Sequence, residues 1–365
     1  MFGEVYKDKR VLVTGNTGFK GSWLSMWLLK LGAEVYGCSD DTPSNPSMFK
    51  VLGLEKKVKH TWLDVRDKEK VHRLIKEIKP DFVFHLAAQA LVAKSYQDPV
   101  DTFTTNVNGT ANVLEGIRLS GISCVAVMIT SDKCYDNVEW PWGYKETDAL
   151  GGKDVYSASK GAAELVIKSY YYSFFKNSEK VALASARAGN VIGGGDWAED
   201  RIIPDCVRAW STSEKVEIRS PKATRPWQFV LEPLSGYLKL GQSLSESRKM
   251  DGESFNFGPL SQYNHTVAEL IGDLGIMWGF ESAEDAFIIT GNVPFHEAGL
   301  LKLNCDKSLL FLKWMPTLDY KKLIEFTGSW YKSFYHKQAD MFVVTLSQIE
   351  DYEQIAAKKR LEWTL

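Results

Sequence analysis

Short runs of uninterrupted apolar residues alternate with amphipathic segments through the first half of the chain. Arg10–Thr14 predicts a buried strand, and 18–31 predicts a helix that stops at Gly32. Further strands are expected at 34–37, 58–63 and 81–85, with a helix over Lys68–Ile78 ahead of the last. A long helix from about 99 to 119 precedes a strand at 124–130, and another at 155–176 precedes a strand at 181–185. Strands that are apolar throughout, and not alternating, belong to a parallel sheet covered on both faces. Right-handed crossovers then lead to an α/β fold with a doubly wound parallel Rossmann-type sheet.

After Arg187 the pattern changes. Gly193, Gly194, Gly195 and Pro204 mark a break, the helices shorten, and Val216–Ile218 reads as an isolated strand. The run 228–231 reads as a late strand returning to the first sheet. This divides the chain into a Rossmann-type sheet domain (1–187 plus 226–250) and a smaller mixed α/β substrate lobe (188–225 plus 251–365). Trp314, Trp330 and Tyr331 in the tail read as core or interface aromatics.

Composition narrows the function. A 44% hydrophobic chain of 365 residues is globular and large enough for about two domains. Its 44 basic and 46 acidic side chains leave a net charge of -2. That balance offers no concentrated positive field for a nucleic acid or a membrane surface. The N-terminus lacks an apolar signal region, and no apolar stretch approaches ~20 residues. Cys38, Cys124, Cys134, Cys206 and Cys305 are scattered without a CxxC pair, as expected of reduced thiols in a cytoplasmic protein with no metal site.

Candidate chemistry begins at Thr14-Gly15-Asn16-Thr17-Gly18-Phe19-Lys20-Gly21, between the first strand and its helix. Gly15 suits a tight turn, Gly18 a close approach to a pyrophosphate, and Gly21 helix–strand packing. The helix N-terminus then offers its amides to the phosphates. An ordinary strand-to-helix turn is the alternative, and the strand before with the helix after favours the dinucleotide. A second motif is Tyr156-Ser157-Ala158-Ser159-Lys160, whose Tyr and Lys share a helix face. An ammonium beside a phenol, together with an oxidised nicotinamide, lowers the phenol's pKa and makes it a base for a sugar hydroxyl. Tyr172 and Lys176 repeat that spacing, so only the nearby strand ending Thr130-Ser131-Asp132-Lys133-Cys134-Tyr135 singles out the first pair. Asp132 and Lys133 would supply an additional acid and base at the mouth of the sheet; a solvated ion pair is the alternative.

The runs TGNTGFKGSW, HLAAQALVAKSYQDP, NVNGT, TSDKCY, YSASKGAAE and RAGNVIGGGDW resemble the nucleotide-sugar 4,6-dehydratases of the extended short-chain dehydrogenase/reductase superfamily. Lys133 stands where the dTDP-glucose relatives usually carry Glu, which points to the CDP-D-glucose branch. The resemblance implies NAD as cofactor, with Thr17 and Phe19 in the glycine-rich loop and Asp40 (or Ser39) on the adenosine ribose. It also implies Asp64 and Val65 at the adenine, Leu86, Ala87 and Ala88 along the middle of the cofactor, and Lys160 on the nicotinamide ribose. Ser131, Tyr156 and Lys160 would carry hydride transfer, and Asp132 and Lys133 the loss of water. Asn190, Arg201 and Arg225 would hold the substrate diphosphate, for which guanidinium groups are suited. A homodimer or homotetramer, built on the two long helices, and a place in deoxysugar synthesis for bacterial surface polysaccharide also follow from the resemblance. A 4-epimerase, a dTDP- or GDP-sugar dehydratase, and a catalytically silent NAD-binding protein remain as other readings.

Overall fold

The computed structural model describes residues 1–260, 264–290 and 300–365. Seven parallel strands form the central sheet: β1 (Arg10–Thr14), β2 (Glu34–Ser39), β3 (Lys59–Trp62), β4 (Phe82–His85), β5 (Cys124–Ile129), β6 (Val181–Ala188) and β7 (Ser254–Phe257). Their spatial order is β7-β6-β5-β4-β1-β2-β3, so the chain reverses direction across the sheet between β1 and β4. In doubly wound sheets ligands bind at that reversal, outside the carboxyl ends of the strands. Thr14 is level with His85 there, and the Leu86 amide donates to the Thr14 carbonyl.

The alternation of side chains explains why the strands are apolar throughout. Val11, Val13, Phe82 and Phe84 enter one core, whereas Leu12 and Val83 enter the other. The second core is covered by α2 (Lys68–Ile78), α3 (Gly109–Ser120) and α4 (Val155–Tyr170). The first is covered by α1 (Phe19–Lys30), α5 (Leu231–Glu246), α6 (Tyr320–Tyr335) and α7 (Met341–Lys358). Both long helices expected from the sequence form, and each contains a π-helical turn, at Thr104–Asn108 and Tyr171–Phe175.

Two expectations are corrected. The run 228–231 does not return to the first sheet. Gln228–Phe229 pairs with Val191–Ile192 in a separate two-stranded sheet, and Leu231 opens α5. Leu231, Leu234 and Leu238 recur at helical spacing and are all fully buried, which a window of four apolar residues conceals. The seventh strand of the main sheet is instead Ser254–Phe257, from the stretch assigned to the smaller lobe. The tail also turns back on the first domain. Trp27 Nε1 and Lys30 Nζ on α1 donate to the two carboxylate oxygens of Glu353, at 2.8 and 2.6 Å. Trp314, Trp330 and Tyr331 are buried, as expected of core aromatics. Among the described residues no helix is long and apolar enough to cross a membrane.

Candidate active site

The glycine-rich loop closes tightly over the end of β1. Gly15 has φ +72°, and a Cβ there would come within 2.7 Å of the Ala87 amide nitrogen. A Cβ on Gly21 would lie 2.1 Å from the Gly15 carbonyl oxygen. Gly18 is the N-cap of α1, and no side chain caps that helix. Its first-turn amides therefore face the end of the sheet with the positive end of the helix dipole, which fits a pyrophosphate. Thr17 is buried, its amide donating to Ser39 Oγ and its hydroxyl to the Asp41 carbonyl. Phe19 reaches the Gly193 turn.

At the end of β2, Ser39 is buried and bonded within the loop, while the Asp40 carboxylate is exposed and accepts the Asp41 amide. Both Asp64 oxygens accept from Arg66, at 2.8 and 2.7 Å, and Val65 is buried against Gly109. Leu86, Ala87 and Ala88 are half-buried, with the Ala87 amide donating to Thr14 Oγ1. His85 is held between Thr14 and Thr110. Burial, then the charge of Lys160, brings its pKa down to about 3, so it stays neutral.

Across the reversal point, β5 ends in a 3₁₀ turn, Asp132–Cys134, capped by Ser131. Ser131 Oγ donates to Asp132 Oδ1 at 2.8 Å and accepts the Lys133 amide at 3.2 Å. Tyr156 and Lys160 enter the same buried region from the first turns of α4, which is capped by Asp154. The competing pair lies elsewhere: Tyr172 is 57% exposed, with Lys176 over its ring on the protein surface.

Burial dominates the electrostatics of this cluster. It pushes the Tyr156 hydroxyl up to about 12, against the lowering influence of the nearby Ser131 hydroxyl and the charge of Arg201. Lys160 itself is drawn down to about 8, by burial first and by the neighbouring charge of Lys20 next. Burial raises the Asp132 carboxyl above the ordinary range, opposed by Lys133, Ser131 and Lys20.

Several residues in the cluster carry no sequence assignment. Lys20, inside the glycine motif, is brought down to about 8 by burial and Arg201, with Asp132 and Asp196 opposing. Asn106, in the π-helical turn, bonds the Gln89 backbone and Ser159 Oγ. Glu164 continues the Tyr156–Lys160 face one turn further and pairs with Arg187. The i, i+4, i+8 spacing and a charged residue inside an apolar strand were legible signals for that pair.

The three diphosphate candidates sit on separate short segments after β6. Arg201 pairs with Asp196 at 2.8 Å, and its charge reaches Tyr156 and Lys20. Asn190 is half-buried, and its carbonyl accepts the Gln228 amide. Arg225 sits on a short strand paired with His265–Thr266, lining a small cavity with Trp227 and Glu232.

A family profile described as GDP-mannose 4,6 dehydratase matches residues 12–325. The chain is 45% identical to CDP-glucose 4,6-dehydratase of Salmonella typhimurium, over 95% of this chain and 97% of that protein. Among solved structures, Thermus thermophilus UDP-glucose 4-epimerase in complex with NAD superposes with TM-score 0.74 at 26% identity, covering 88% of this chain and 99% of the other. Streptomyces venezuelae dTDP-glucose 4,6-dehydratase gives 0.76 at 21% identity, covering 90% and 100%. The chain belongs to the GDP-mannose 4,6-dehydratase family, among the nucleotide-sugar dehydratases of the extended short-chain dehydrogenase/reductase superfamily.

Proposed function

We propose that the protein is an NAD-dependent CDP-D-glucose 4,6-dehydratase, a hydro-lyase that makes CDP-4-keto-6-deoxy-D-glucose and water. The observation that carries this reading is the buried Asp132 bonded to Ser131, beside the turn bearing Lys133 and facing Tyr156. The 45% identity to a CDP-glucose 4,6-dehydratase supports the nucleotide.

The glycine loop with Thr17 and Phe19, Asp40 at the ribose, Asp64 and Val65 at the adenine, residues 86–88, and Lys160 would hold NAD. The chemistry it would supply when bound is reversible hydride exchange with the sugar, out of C4 and back to C6. Tyr156 receives the C4 hydroxyl proton while Ser131 orients that hydroxyl. The 4-ketone acidifies the C5 hydrogen, so Lys133 removes it as Asp132 protonates the departing C6 hydroxyl, and Lys133 returns that proton to C5 as hydride reaches C6. Burial raises the pKa of the Asp132 carboxyl, which favours the protonated form that this step uses. Asn190, Arg201 and Arg225 would hold the diphosphate. The exposed faces of 99–120 and 155–175, including Phe103, Leu165, Tyr172 and Phe174, would join copies into a homodimer or homotetramer in the cytoplasm. The product suits deoxysugar synthesis for O-antigen and other lipopolysaccharide components.

The test is a panel of CDP-, dTDP-, GDP- and UDP-hexoses, with the 4-keto-6-deoxy product followed. CDP-glucose should be turned over best, and deuterium at C4 should reappear at C6 of the same molecule. Product from another nucleotide alone would overturn the base assignment. C4 inversion without loss of water would identify an epimerase.

A further inference from the structure

One hydrogen-bonded network beneath the site encloses the tripeptide Ser131-Asp132-Lys133 from both ends. On one side, Thr130 Oγ1 donates to Glu164 Oε1 on the helix that carries Tyr156 and Lys160. Arg187 on β6 then grips Glu164 with two parallel bonds, Nε to Oε1 at 3.0 Å and Nη2 to Oε2 at 2.8 Å. On the other side, Arg187 Nη1 donates to the Tyr135 hydroxyl at 2.8 Å, two residues beyond Lys133. The Tyr135 hydroxyl donates in turn to Asn256 Oδ1 at 2.8 Å. Asn256 Nδ2 completes the chain, donating to the carbonyls of Tyr144 and Asn304 at 2.9 and 3.1 Å.

Each central member is buried, Arg187 and Glu164 to 2% and 3% exposure. A buried ion pair gives little net stability compared with apolar packing of the same volume, because both charges lose their hydration. What it does give is direction: a bidentate guanidinium–carboxylate pair fixes the relative position of the groups attached to it. Here those groups are the hydride-transfer helix on one side and the turn of Asp132 and Lys133 on the other.

We propose that Glu164, Arg187, Tyr135 and Asn256 are positioning residues that set Asp132 and Lys133 against the sugar carbon that Tyr156 and Lys160 oxidise. The proposal rests on the dehydratase reading above. Oxidation at C4 needs only Tyr156 and Lys160 on α4 and Ser131 at the start of the turn, next to Thr130, whose bond to Glu164 ties that end of the turn to α4. Elimination requires in addition that the acid and the base meet C6 and C5 of the same ring. The Tyr135 end of the network is therefore where the second half of the reaction is aligned, and misplacement by about 1 Å costs on the order of 100-fold in rate.

The test is Tyr135→Phe in the full-length enzyme, with Tyr144→Phe as control. The two rings stack at 5.3 Å, but among the described residues the Tyr144 hydroxyl bonds Asn137 and the Val138 amide, within its own loop. With CDP-glucose, Tyr135→Phe should reduce NAD at close to the wild-type rate, while release of 4-keto-6-deoxy sugar falls about 10- to 100-fold and NADH absorbance accumulates. Tyr144→Phe should partition like wild type. A merely structural role for Tyr135 predicts that both half-reactions fall together, in step with lost folded protein, and that result overturns the proposal. Wild-type partition in Tyr135→Phe, or an equal shift in Tyr144→Phe, also overturns it. If the wild-type protein yields no 4-keto-6-deoxy sugar from any nucleotide hexose, the dehydratase reading fails first and takes this proposal with it.

Discussion

Replacing Asp132 by Asn isolates the elimination step. Asn keeps an oxygen where Oδ1 now accepts from Ser131 at 2.8 Å, so the 3₁₀ turn and its cap are retained. The other oxygen faces Gly189 closely, since a Cβ there would lie 2.9 Å from it, and the new amide group has little room to swing away. What is lost is the carboxylic proton. A positioned general acid contributes about 10²- to 10⁴-fold, equivalent to about 3 to 5 kcal/mol of barrier. Hydride transfer from C4 does not use that proton, because Tyr156 takes the hydroxyl proton. Asp132→Asn should therefore show a stopped-flow burst of NADH absorbance on mixing with CDP-glucose, near one equivalent per active site. Release of 4-keto-6-deoxy product should fall by that 10²- to 10⁴-fold. With C4-deuterated substrate, the label should remain on the cofactor instead of arriving at C6. Unimpaired turnover, as an epimerase would give, refutes the assignment. Loss of the NADH burst itself would place Asp132 in binding or structure, and the elimination chemistry would need another donor.

Three further outcomes are expected. Tyr156→Phe should lose about 10²- to 10⁴-fold in turnover with its thermal unfolding unchanged, whereas Tyr172→Phe, on the surface, should match wild type in the same assay. Burial pushes Glu232 up to about 7, outweighing the hydrogen bonds it accepts from the Thr317 and Leu318 amides and the Tyr352 hydroxyl. The folded state thus binds this proton more tightly than the unfolded chain, and the stability it contributes, about 3 kcal/mol, is complete below pH ~4.5 and lost as pH rises through ~7. Denaturant midpoints between pH 4 and pH 8 should show that fall, and Glu232→Gln should flatten it. Leu165→Arg, on the exposed side of α4, should shift light-scattering mass toward the monomer while leaving circular dichroism unchanged.

The alternation of apolar strands with amphipathic helices was enough to specify the α/β class, because every strand of the main sheet except the edge strand β3 is covered on both faces. The glycine spacing was equally legible, since close backbone contacts at Gly15 and Gly21 exclude any side chain. Sequence also placed Ser131, Asp132 and Lys133 at a strand end and Tyr156 with Lys160 on one helix face. It could not distinguish Tyr156–Lys160 from Tyr172–Lys176 by spacing, because both pairs share a period and differ only in which turn of the helix meets the sheet. The membership of β7 was hidden for a related reason. Ser254–Phe257 joins the main sheet beside β6 only after α5 has crossed its face, and four residues carry no record of their partner. Burial decided the rest. The rise of Tyr156 and Asp132 and the fall of Lys160 and Lys20 come from water excluded by segments far apart in the chain. Arg187 acquires its place between Glu164 and Tyr135 only when strand, helix and turn pack together.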